Sequence, residues 1–271
     1  MEGYGAFRHP MRPPVQSPAD ADDRGIDPDR EDKYRATVLR SVKALCGMPF
    51  GSFLQGEAYD KNYWMPTAYK AERPALALLP GLSPSEALDA IATNKQAWKL
   101  DCAGWAQVCL ALSHKDFIGA RRFDKAYRRS GGGFILDQHD TPAVMAGSSY
   151  RRDDKAQRFY RWRGDHLFDQ DYDEAYLLDR APAGTLFIFA NDDAGVGHDY
   201  RYEHSLRLEP DVFAAHGFGE TCLFSLRELR EQLAAITHPQ FGQGLSLSDY
   251  ADKVVWLRTV RYLNVRLLTG G

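Results

Sequence analysis

The sequence predicts an α+β fold, in which helices and strands occupy separate stretches of the chain. Helical patterns come first: apolar residues recur at helical spacing after residue 29, Ser-Pro-Ser-Glu at 83–86 is a helix start signal, and residues 103–117 are strongly helix-forming. Three short strands then follow one another, TLFIFA, RYEHSLRL and VFAAHGFG, before further helices. This order indicates a small antiparallel sheet with helices packed on it, rather than the alternation of a parallel-sheet fold.

Composition and charge exclude several classes of partner. The 271 residues are 44% hydrophobic and 26% charged, and the formal net charge of −3 gives no electrostatic basis for binding nucleic acid. No apolar run approaches the roughly 18 residues of a membrane span, and the N-terminus lacks the apolar segment of a signal peptide. We therefore expect a protein that is cytoplasmic, or delivered by a secretion route independent of a signal peptide.

Two stretches differ from the rest in composition. Residues 1–30 are rich in Pro, Asp and Arg, which predicts a disordered N-terminal arm before a single catalytic domain over 31–271. Residues 137–180 carry runs of Arg and Asp and are expected to form a polar surface insertion with one helix near Asp173 to Leu178. Residues 48–82, rich in Gly, Pro and aromatic residues, are expected to be irregular.

Helix boundaries are predicted from capping residues. Asp27 or Asp29 is positioned to cap the first helix, and Ser225 with Glu228 three residues later forms a capping-box pattern. The following segment, SLSDYADKVVWLRTVRYLNV, is expected to be helical as well.

Cys102 is the most informative residue, because it opens a helix that is apolar on all sides and therefore buried. A helix N-terminus offers free N–H groups and a positive dipole end, which favour a thiolate. The small residues Ala103 and Gly104 are expected to leave room for a substrate, and the Cys102 N–H is placed to stabilise an oxyanion. On the cysteine alone, a small buried core residue is the favoured interpretation.

The other three cysteines, Cys46, Cys109 and Cys222, are expected to be structural. The spacing of the four fits neither a zinc site nor a disulfide framework, and no metal site is predicted. This usage is typical of a reducing compartment.

A cysteine nucleophile needs a base, which is usually a histidine oriented by a third group. His114 lies about three turns along the Cys102 helix and cannot reach its start. His216 lies among small residues in the last predicted strand, and His204 lies in the strand before it. Strand alternation puts His204 on the face of Leu206 and Leu208, so we expect His204 to pack in the core or lie at an edge.

The same alternation puts Glu203 on the opposite face of that strand, together with Ser205 and Arg207. This is the face able to line a cleft, so we expect Glu203 to point into the site.

These residues resemble two related groups of enzymes. Cys102-Ala103-Gly104 opening a helix, followed by a late His strand, resembles the NlpC/P60 branch of the papain-like fold. Asn62-Tyr63-Trp64, the Cys102 helix and EHSLRLEPDVFAAHGFG resemble more closely the bacterial spore-coat type of protein-glutamine γ-glutamyltransferase. The resemblance covers roughly residues 48–265, with sparse identities between the motifs.

This resemblance implies a papain-like core and assigns the family's catalytic Cys, Glu and His to Cys102, Glu203 and His216. It implies acyl transfer from a protein glutamine through a thioester to a lysine amine, or to water, without a cofactor. In that reaction His216 would shuttle the proton, and Glu203 would orient His216 or deprotonate the amine. Secondary candidates for substrate contacts are Tyr63, Trp64, Asn191 and His204.

Two other functions remain open from the sequence. One is a papain-like amidase or peptidase acting on cell-wall peptides, with His204 or His216 as its base. The other is a non-catalytic papain-like binding module.

Overall fold

A computed structural model describes residues 26–53, 56–69, 73–129, 135–137, 149–153, 158–163, 166–195, 198, 200–261 and 268. The helices are α1 (Pro28–Leu45), α2 (Pro84–Thr93), α3 (Cys102–Ile118), α4 (Ala120–Arg129), α5 (Glu174–Arg180), α6 (Leu226–Ala235), α7 (His238–Phe241) and α8 (Leu247–Val254). The strands are β1 (Trp64–Tyr69), β2 (Arg73–Leu78), β3 (Ile135–Asp137), β4 (Ser149–Asp153), β5 (Arg158–Arg163), β6 (His166–Tyr172), β7 (Leu186–Asn191), β8 (Tyr202–Glu209), β9 (Val212–Ala214), β10 (Leu223–Phe224) and β11 (Val255–Arg261).

An eight-stranded sheet forms the centre of the fold, with strand order β10-β9-β8-β7-β11-β4-β5-β6 and antiparallel pairing throughout. A second sheet contains β1, β2 and β3, also antiparallel. The predicted α+β class with an antiparallel sheet is confirmed. The main sheet is larger than predicted, because β4, β5, β6 and β11 extend it.

Helices cover both faces of the main sheet, and strand alternation decides which residues meet them. On β7, Leu186 and Ile188 join the core formed with α1 and α3, whereas Phe187 and Phe189 join the core formed with α6 and α8. Every residue of β7 is therefore buried. This explains why its sequence is a continuous apolar run rather than an alternating one.

Helix α3 is buried as predicted, from Cys102 through Lys115. It packs against α1 and against β8, which carries Glu203 and His204. The N-terminal end of a buried helix is thereby placed directly on the strand that holds the candidate acid and base residues.

Local capping signals were predicted correctly. Asp27 caps α1 by accepting from the N–H of Asp29 at 3.0 Å, and Ser225 and Glu228 form the complete capping box of α6. Helix α5, with Asp173 as its cap, matches the helix predicted in the polar stretch.

Several predictions about longer segments were wrong. Residues 48–82 contain strands β1 and β2, and residues 137–180 contain β4, β5 and β6. The segment after Ser246 is helical only to Val254 and then continues as β11. The β-branched and aromatic residues of VVWLRTV favour a strand, and pairing with β7 and β4 decides the outcome.

Cys46 and Cys222 form a disulfide, against the expectation from cysteine spacing. It joins Cys46, which directly follows α1, to Cys222, which directly precedes β10. Cys102 and Cys109 are free thiols and both are buried.

The predicted domain boundaries stay a prediction. Residues 1–25 of the expected arm lie outside the described residues, and its last residues already belong to α1. None of the helices in the described part of the chain has the length and apolar character needed to cross a bilayer.

Candidate active site

The cap of α3 fixes the position of Cys102. Asp101 accepts a hydrogen bond from the Gly104 N–H at 2.7 Å. A side chain at position 104 would stand 3.2 Å from that carboxylate oxygen and 3.5 Å from Leu100. The missing side chain of Gly104 therefore makes room for the helix cap, and the expectation that Ala103 and Gly104 leave room for a substrate stays a prediction.

The sulfur of Cys102 lies against the backbone of β8. It is 3.5 Å from the carbonyl oxygen of Tyr202 and 3.4 Å from Nδ1 of His204, and the residue is 6% exposed. The N–H of Cys102 lies in the first turn of α3, where a helix leaves its donors without an internal partner. A substrate carbonyl bonded to the sulfur would find this donor nearby.

Glu203 and His204 both reach the sulfur, although they point to opposite faces of β8. Glu203 lies close enough to Cys102 for its carboxylate to raise the pKa of the thiol, and Glu203 is 1% exposed. His204 was expected to pack in the core or lie at an edge, but it also lies beside the sulfur, because the sulfur is close to the backbone of β8.

His216 lies just after β9 rather than within a strand. Its backbone N–H donates to Oε1 of Glu203 at 3.5 Å, and its ring Nε2–H donates to the carbonyl of Leu100 at 3.0 Å. The ring is stacked on Trp105 with centroids 5.5 Å apart. Within the described residues the His216 ring has no hydrogen bond to Cys102, so its geometry differs from that of the expected proton shuttle.

Backbone conformation and close packing both require glycine at position 217, directly after His216. Its φ of +98° lies in the region that favours glycine, and an added Cβ would stand 2.7 Å from the ring of Phe50. Phe50 in turn contacts the rings of His216 and Tyr200, and the Tyr200 hydroxyl donates to the Gly217 carbonyl at 3.0 Å. The turn is thus held by close ring contacts that only glycine permits.

The surroundings of Cys102 favour the thiol over the thiolate. Burial raises the pKa of Cys102 well above its usual range, and the carboxylates of Glu203 and Asp101 raise it further. The N–H groups of His204 and Ala103 lower this pKa, but by less. Burial and the neighbouring carboxylates thus act against the thiolate that was expected at the helix N-terminus.

Burial acts on the partners of Cys102 as well. It raises the pKa of Glu203, an effect that the His216 N–H and the Cys102 thiol oppose. It lowers the pKa of His216 to about 4, against the carbonyls of Leu100 and Pro49 that raise it. Glu203 therefore holds a proton more readily than an ordinary carboxylate, and His216 less readily than an ordinary imidazole.

The secondary candidates lie in different environments. Trp64 is 1% exposed and packs edge-on against Trp98, and Tyr63 is partly buried against the same core. The Asn191 amide donates to the carbonyl of Leu233 at 2.9 Å and to the Thr237 hydroxyl at 3.1 Å. The structure brings none of these three side chains into hydrogen-bonding contact with Cys102, and their role in substrate binding stays a prediction.

A cavity of about 540 Å³ opens beside the site. Tyr202 and His204, which contact the Cys102 sulfur, are part of its wall. The remaining wall residues are Arg151, Arg152, Ile188, Ala190, Asn191, Asp192, Arg201, Trp256, Arg258, Thr259 and Arg261. Sequence reasoning missed this cavity because its residues come from β4, β7, β8 and β11, two of which were not predicted as strands.

No group of three His, Cys, Asp or Glu side chains in the described part of the chain is arranged to hold a metal ion.

Comparison with known proteins places this geometry in context. Residues 30–235 match the family model described as protein-glutamine gamma-glutamyltransferase. The fold is similar to that of a transglutaminase from Geobacillus stearothermophilus without its C-terminal extension, with a TM-score of 0.59 and 15% sequence identity over 93% of this chain and 97% of that chain. No curated protein shows significant sequence similarity to the chain.

Proposed function

The chain belongs to the protein-glutamine γ-glutamyltransferase family and is a cysteine-dependent acyltransferase, and we propose that Cys102 is its nucleophile. The observation that carries this assignment is the placement of Cys102 at the N-terminus of a buried helix, in contact with Glu203. The other free cysteine, Cys109, lies two turns further along α3 and is fully buried in the core.

The reaction proceeds through a thioester. The Cys102 sulfur attacks the γ-carboxamide carbon of a protein glutamine, and the C–N bond breaks as ammonia leaves. An amine, such as the ε-amino group of a lysine, then attacks the thioester carbon and releases the Cys102 thiol with an isopeptide bond formed. Attack by water in the same position would give glutamate instead.

Glu203 is the group that we assign to proton transfer. It lies close enough to Cys102 to interact electrostatically with the thiol, and burial raises the pKa of Glu203, so it accepts the thiol proton more readily than an exposed carboxylate. The protonated Glu203 then gives this proton to the departing ammonia. When the amine attacks, Glu203 accepts its proton, and the thiol is restored when the sulfur leaves.

We assign His216 to positioning Cys102 and Glu203. Its N–H fixes the Glu203 carboxylate, and its ring bonds the carbonyl of Leu100, which lies two residues before Cys102. Both ends of the Cys102–Glu203 contact are thereby tied to one residue. We therefore assign His216 to positioning rather than to the expected proton shuttle, because its ring has no hydrogen bond to the Cys102 sulfur among the described residues and burial disfavours protonation of the ring.

His204 lies on the other side of the sulfur, with Nδ1 at 3.4 Å. It stands between Cys102 and the arginine-lined cavity. We assign it to the wall that the substrate contacts, where its ring stabilises the negative sulfur during attack.

The two other functions considered from the sequence are less well supported. Family membership favours transfer from a protein glutamine over cleavage of cell-wall peptides and over a binding module. The placement within the NlpC/P60 branch stays a prediction. The expected protein partners are a glutamine-bearing acyl donor and an amine or lysine donor.

The disulfide bears on the location of the protein. Disulfides persist in oxidising environments and are rare in the cytosol, so the Cys46–Cys222 bond favours delivery outside the cytosol over a cytoplasmic protein. Alkylation of the protein unfolded in denaturant without reductant, followed by mass spectrometry, tests whether the bond is present. Two alkylated cysteines support the proposal, and four contradict it.

A glutamine analogue tests the assignment of the nucleophile. A substrate peptide whose glutamine is replaced by its diazoketone analogue would alkylate the attacking sulfur. We expect the adduct on Cys102 by peptide mass spectrometry, and Cys109→Ala, which removes the other free thiol, should label equally well. An adduct on another residue of an active preparation would contradict the assignment.

A further inference from the structure

The cavity beside Cys102 is strongly basic in a protein that carries a net negative charge. Five arginines line it, Arg151, Arg152, Arg201, Arg258 and Arg261, against one acidic residue, Asp192. The whole chain has a formal net charge of −3. The concentration of positive charge is therefore local to this cavity.

Aromatic rings pack against some of the cavity arginines and restrict the positions of their guanidinium groups. The guanidinium groups of Arg258 and Arg201 lie 4.5 Å and 5.4 Å from the ring centre of Tyr202. Arg152 lies 5.0 Å from the ring centre of Trp256. Stacking of this kind leaves the edge of a guanidinium, with its N–H donors, directed at a ligand.

The acidic residue of the cavity, Asp192, forms no salt bridge with Arg152, Arg201 or Arg258. The carboxylate of Asp192 accepts a hydrogen bond from the Trp256 indole N–H at 2.7 Å. Among the described residues, no carboxylate forms a salt bridge with Arg152, Arg201 or Arg258. The Nε of Arg152 is also buried without a hydrogen-bond partner among them, which marks a donor that a ligand would satisfy.

Tyr202 contacts both the reacting sulfur and two arginines of the cavity. The carbonyl of Tyr202 lies 3.5 Å from the Cys102 sulfur, and the ring of the same residue carries Arg201 and Arg258. A peptide extended along a groove advances about 3.3 Å per residue. A peptide whose glutamine reaches Cys102 would therefore place its neighbouring residues near the cavity.

We propose that this cavity selects glutamine substrates by binding carboxylate groups that flank the reactive glutamine. Paired N–H donors of arginine match the two oxygens of a carboxylate, which lysine cannot reproduce. Two sources supply such a group: an Asp or Glu side chain, or the C-terminal carboxylate of a short peptide. The proposal rests on the proposed function, because it assumes that the glutamine is presented to Cys102.

A peptide series tests the selectivity. The peptides have one central glutamine and carry Glu, Gln or Lys two and three positions away from it. Each peptide is made with an amidated C-terminus and with a free C-terminus. For every peptide, kcat/KM for ammonia release is measured. We expect the Glu peptides to exceed the Gln peptides by about tenfold or more, and the preference to fall with rising salt. An advantage confined to free C-termini would identify the second source. Equal values for Glu, Gln and Lys peptides at both termini would overturn the proposal.

Arginine variants assign any preference to this cavity. We expect Arg258→Gln and Arg201→Gln to reduce the ratio of kcat/KM for Glu over Gln peptides, and Arg258→Glu to shift the preference towards Lys peptides. The control Arg122→Gln removes one exposed positive charge from α4, which packs on α2 and α3, and should keep the wild-type ratio. A ratio unchanged in all cavity variants would place the selectivity elsewhere.

Binding without turnover separates this proposal from the proposed function. Calorimetric titration of Cys102→Ala with an acidic peptide that lacks glutamine measures the cavity alone. Binding that weakens in Arg201→Gln/Arg258→Gln supports the cavity even if no peptide releases ammonia. Absence of binding, together with active wild-type enzyme, would overturn the cavity and leave the nucleophile standing.

Discussion

At the scale of single residues, the surroundings of the proposed nucleophile favour its protonated form. Burial and the carboxylates of Glu203 and Asp101 raise the pKa of Cys102, and burial raises the pKa of Glu203, the proposed proton acceptor. Activation then depends on proton transfer within the pair rather than on a preformed thiolate. Such a coupled pair loses its protons in steps that belong to both groups.

The raised pKa predicts slow alkylation of Cys102 at neutral pH. Because only the thiolate reacts, the rate with iodoacetamide should keep rising with pH beyond the ordinary thiol pKa of 9.0. Peptide mass spectrometry separates Cys102 from Cys109. In Glu203→Gln the loss of a negative neighbour should lower the thiol pKa and speed alkylation at neutral pH, and a rate that levels off below pH 8 in the wild type would contradict the account.

Replacement of Glu203 by glutamine tests proton transfer directly. Glu203→Gln keeps the shape of the side chain but cannot accept the proton, so we expect kcat for ammonia release to fall by about 10²–10⁴-fold. The control is Glu209→Gln, at the exposed end of the same strand, which should keep wild-type activity. Near-normal activity in a folded Glu203→Gln protein would exclude Glu203 as the proton acceptor.

At the scale of elements, two connecting segments are held together over the site. The segment after α1 brings Phe50 onto His216 and Gly217, and the Cys46–Cys222 disulfide ties that segment to the stretch after the His216 turn. The N–H of Ala215 also donates to the Cys222 carbonyl at 3.1 Å. The position of His216 therefore depends on a covalent link outside the site.

Reduction of the disulfide should lower both stability and activity. The bond closes a loop with a sequence separation of 176 residues, and loss of a disulfide typically costs about 2–5 kcal/mol of unfolding free energy. Urea denaturation and ammonia release are compared with and without reductant.

The matched control is the double variant Cys46→Ser/Cys222→Ser, which should be insensitive to reductant and as stable as the reduced wild type. A wild type whose denaturation midpoint is unchanged after complete reduction would contradict the structural role of the bond.

At the scale of the whole molecule, two buried neutral histidines link stability to pH. Burial lowers the pKa of His114 and of His216 to about 4, below the ordinary value near 6.5. Between these values the unfolded chain binds protons that the folded protein does not. Stability is therefore unaffected above about pH 6.5 and falls as the pH drops towards 4.

His114 provides the variant for this prediction. Its Nδ1 has no hydrogen-bond partner among the described residues, so His114→Leu removes the titration without breaking a bond at that atom. From pH 7 to pH 5 the wild type should lose about 2 kcal/mol more unfolding free energy than the variant. Urea denaturation at both pH values measures the difference, and an identical loss in both proteins would contradict it.

The sequence predicted features that depend on neighbours along the chain. The helix that begins at Cys102, the capping box at Ser225 and the cap of α5 follow from local patterns, and the structure has all three. The pairing of Cys46 with Cys222 and the position of β11 between β7 and β4 depend on residues far apart in sequence. Spacing and periodicity carry no information on such contacts.

In the candidate site as well, local features were predicted from the sequence, whereas contacts between distant segments were not. Strand alternation separated Glu203 from His204 correctly, but it did not place the end of α3 across β8, where both reach Cys102. Helical spacing puts Trp105 on the side of Cys102, although its stacking on His216 follows only from the turn after β9. The arginine cavity joins four strands and had no local signal.

The central claim is that Cys102 transfers the acyl group of a protein glutamine. The most direct test measures ammonia release from a glutamine-rich protein in the presence of a primary amine, with mass spectrometry of the product, for wild type, Cys102→Ala and Cys109→Ala. We expect ammonia and incorporated amine from wild type and Cys109→Ala, and neither from Cys102→Ala. Ammonia release that persists in Cys102→Ala would contradict the account.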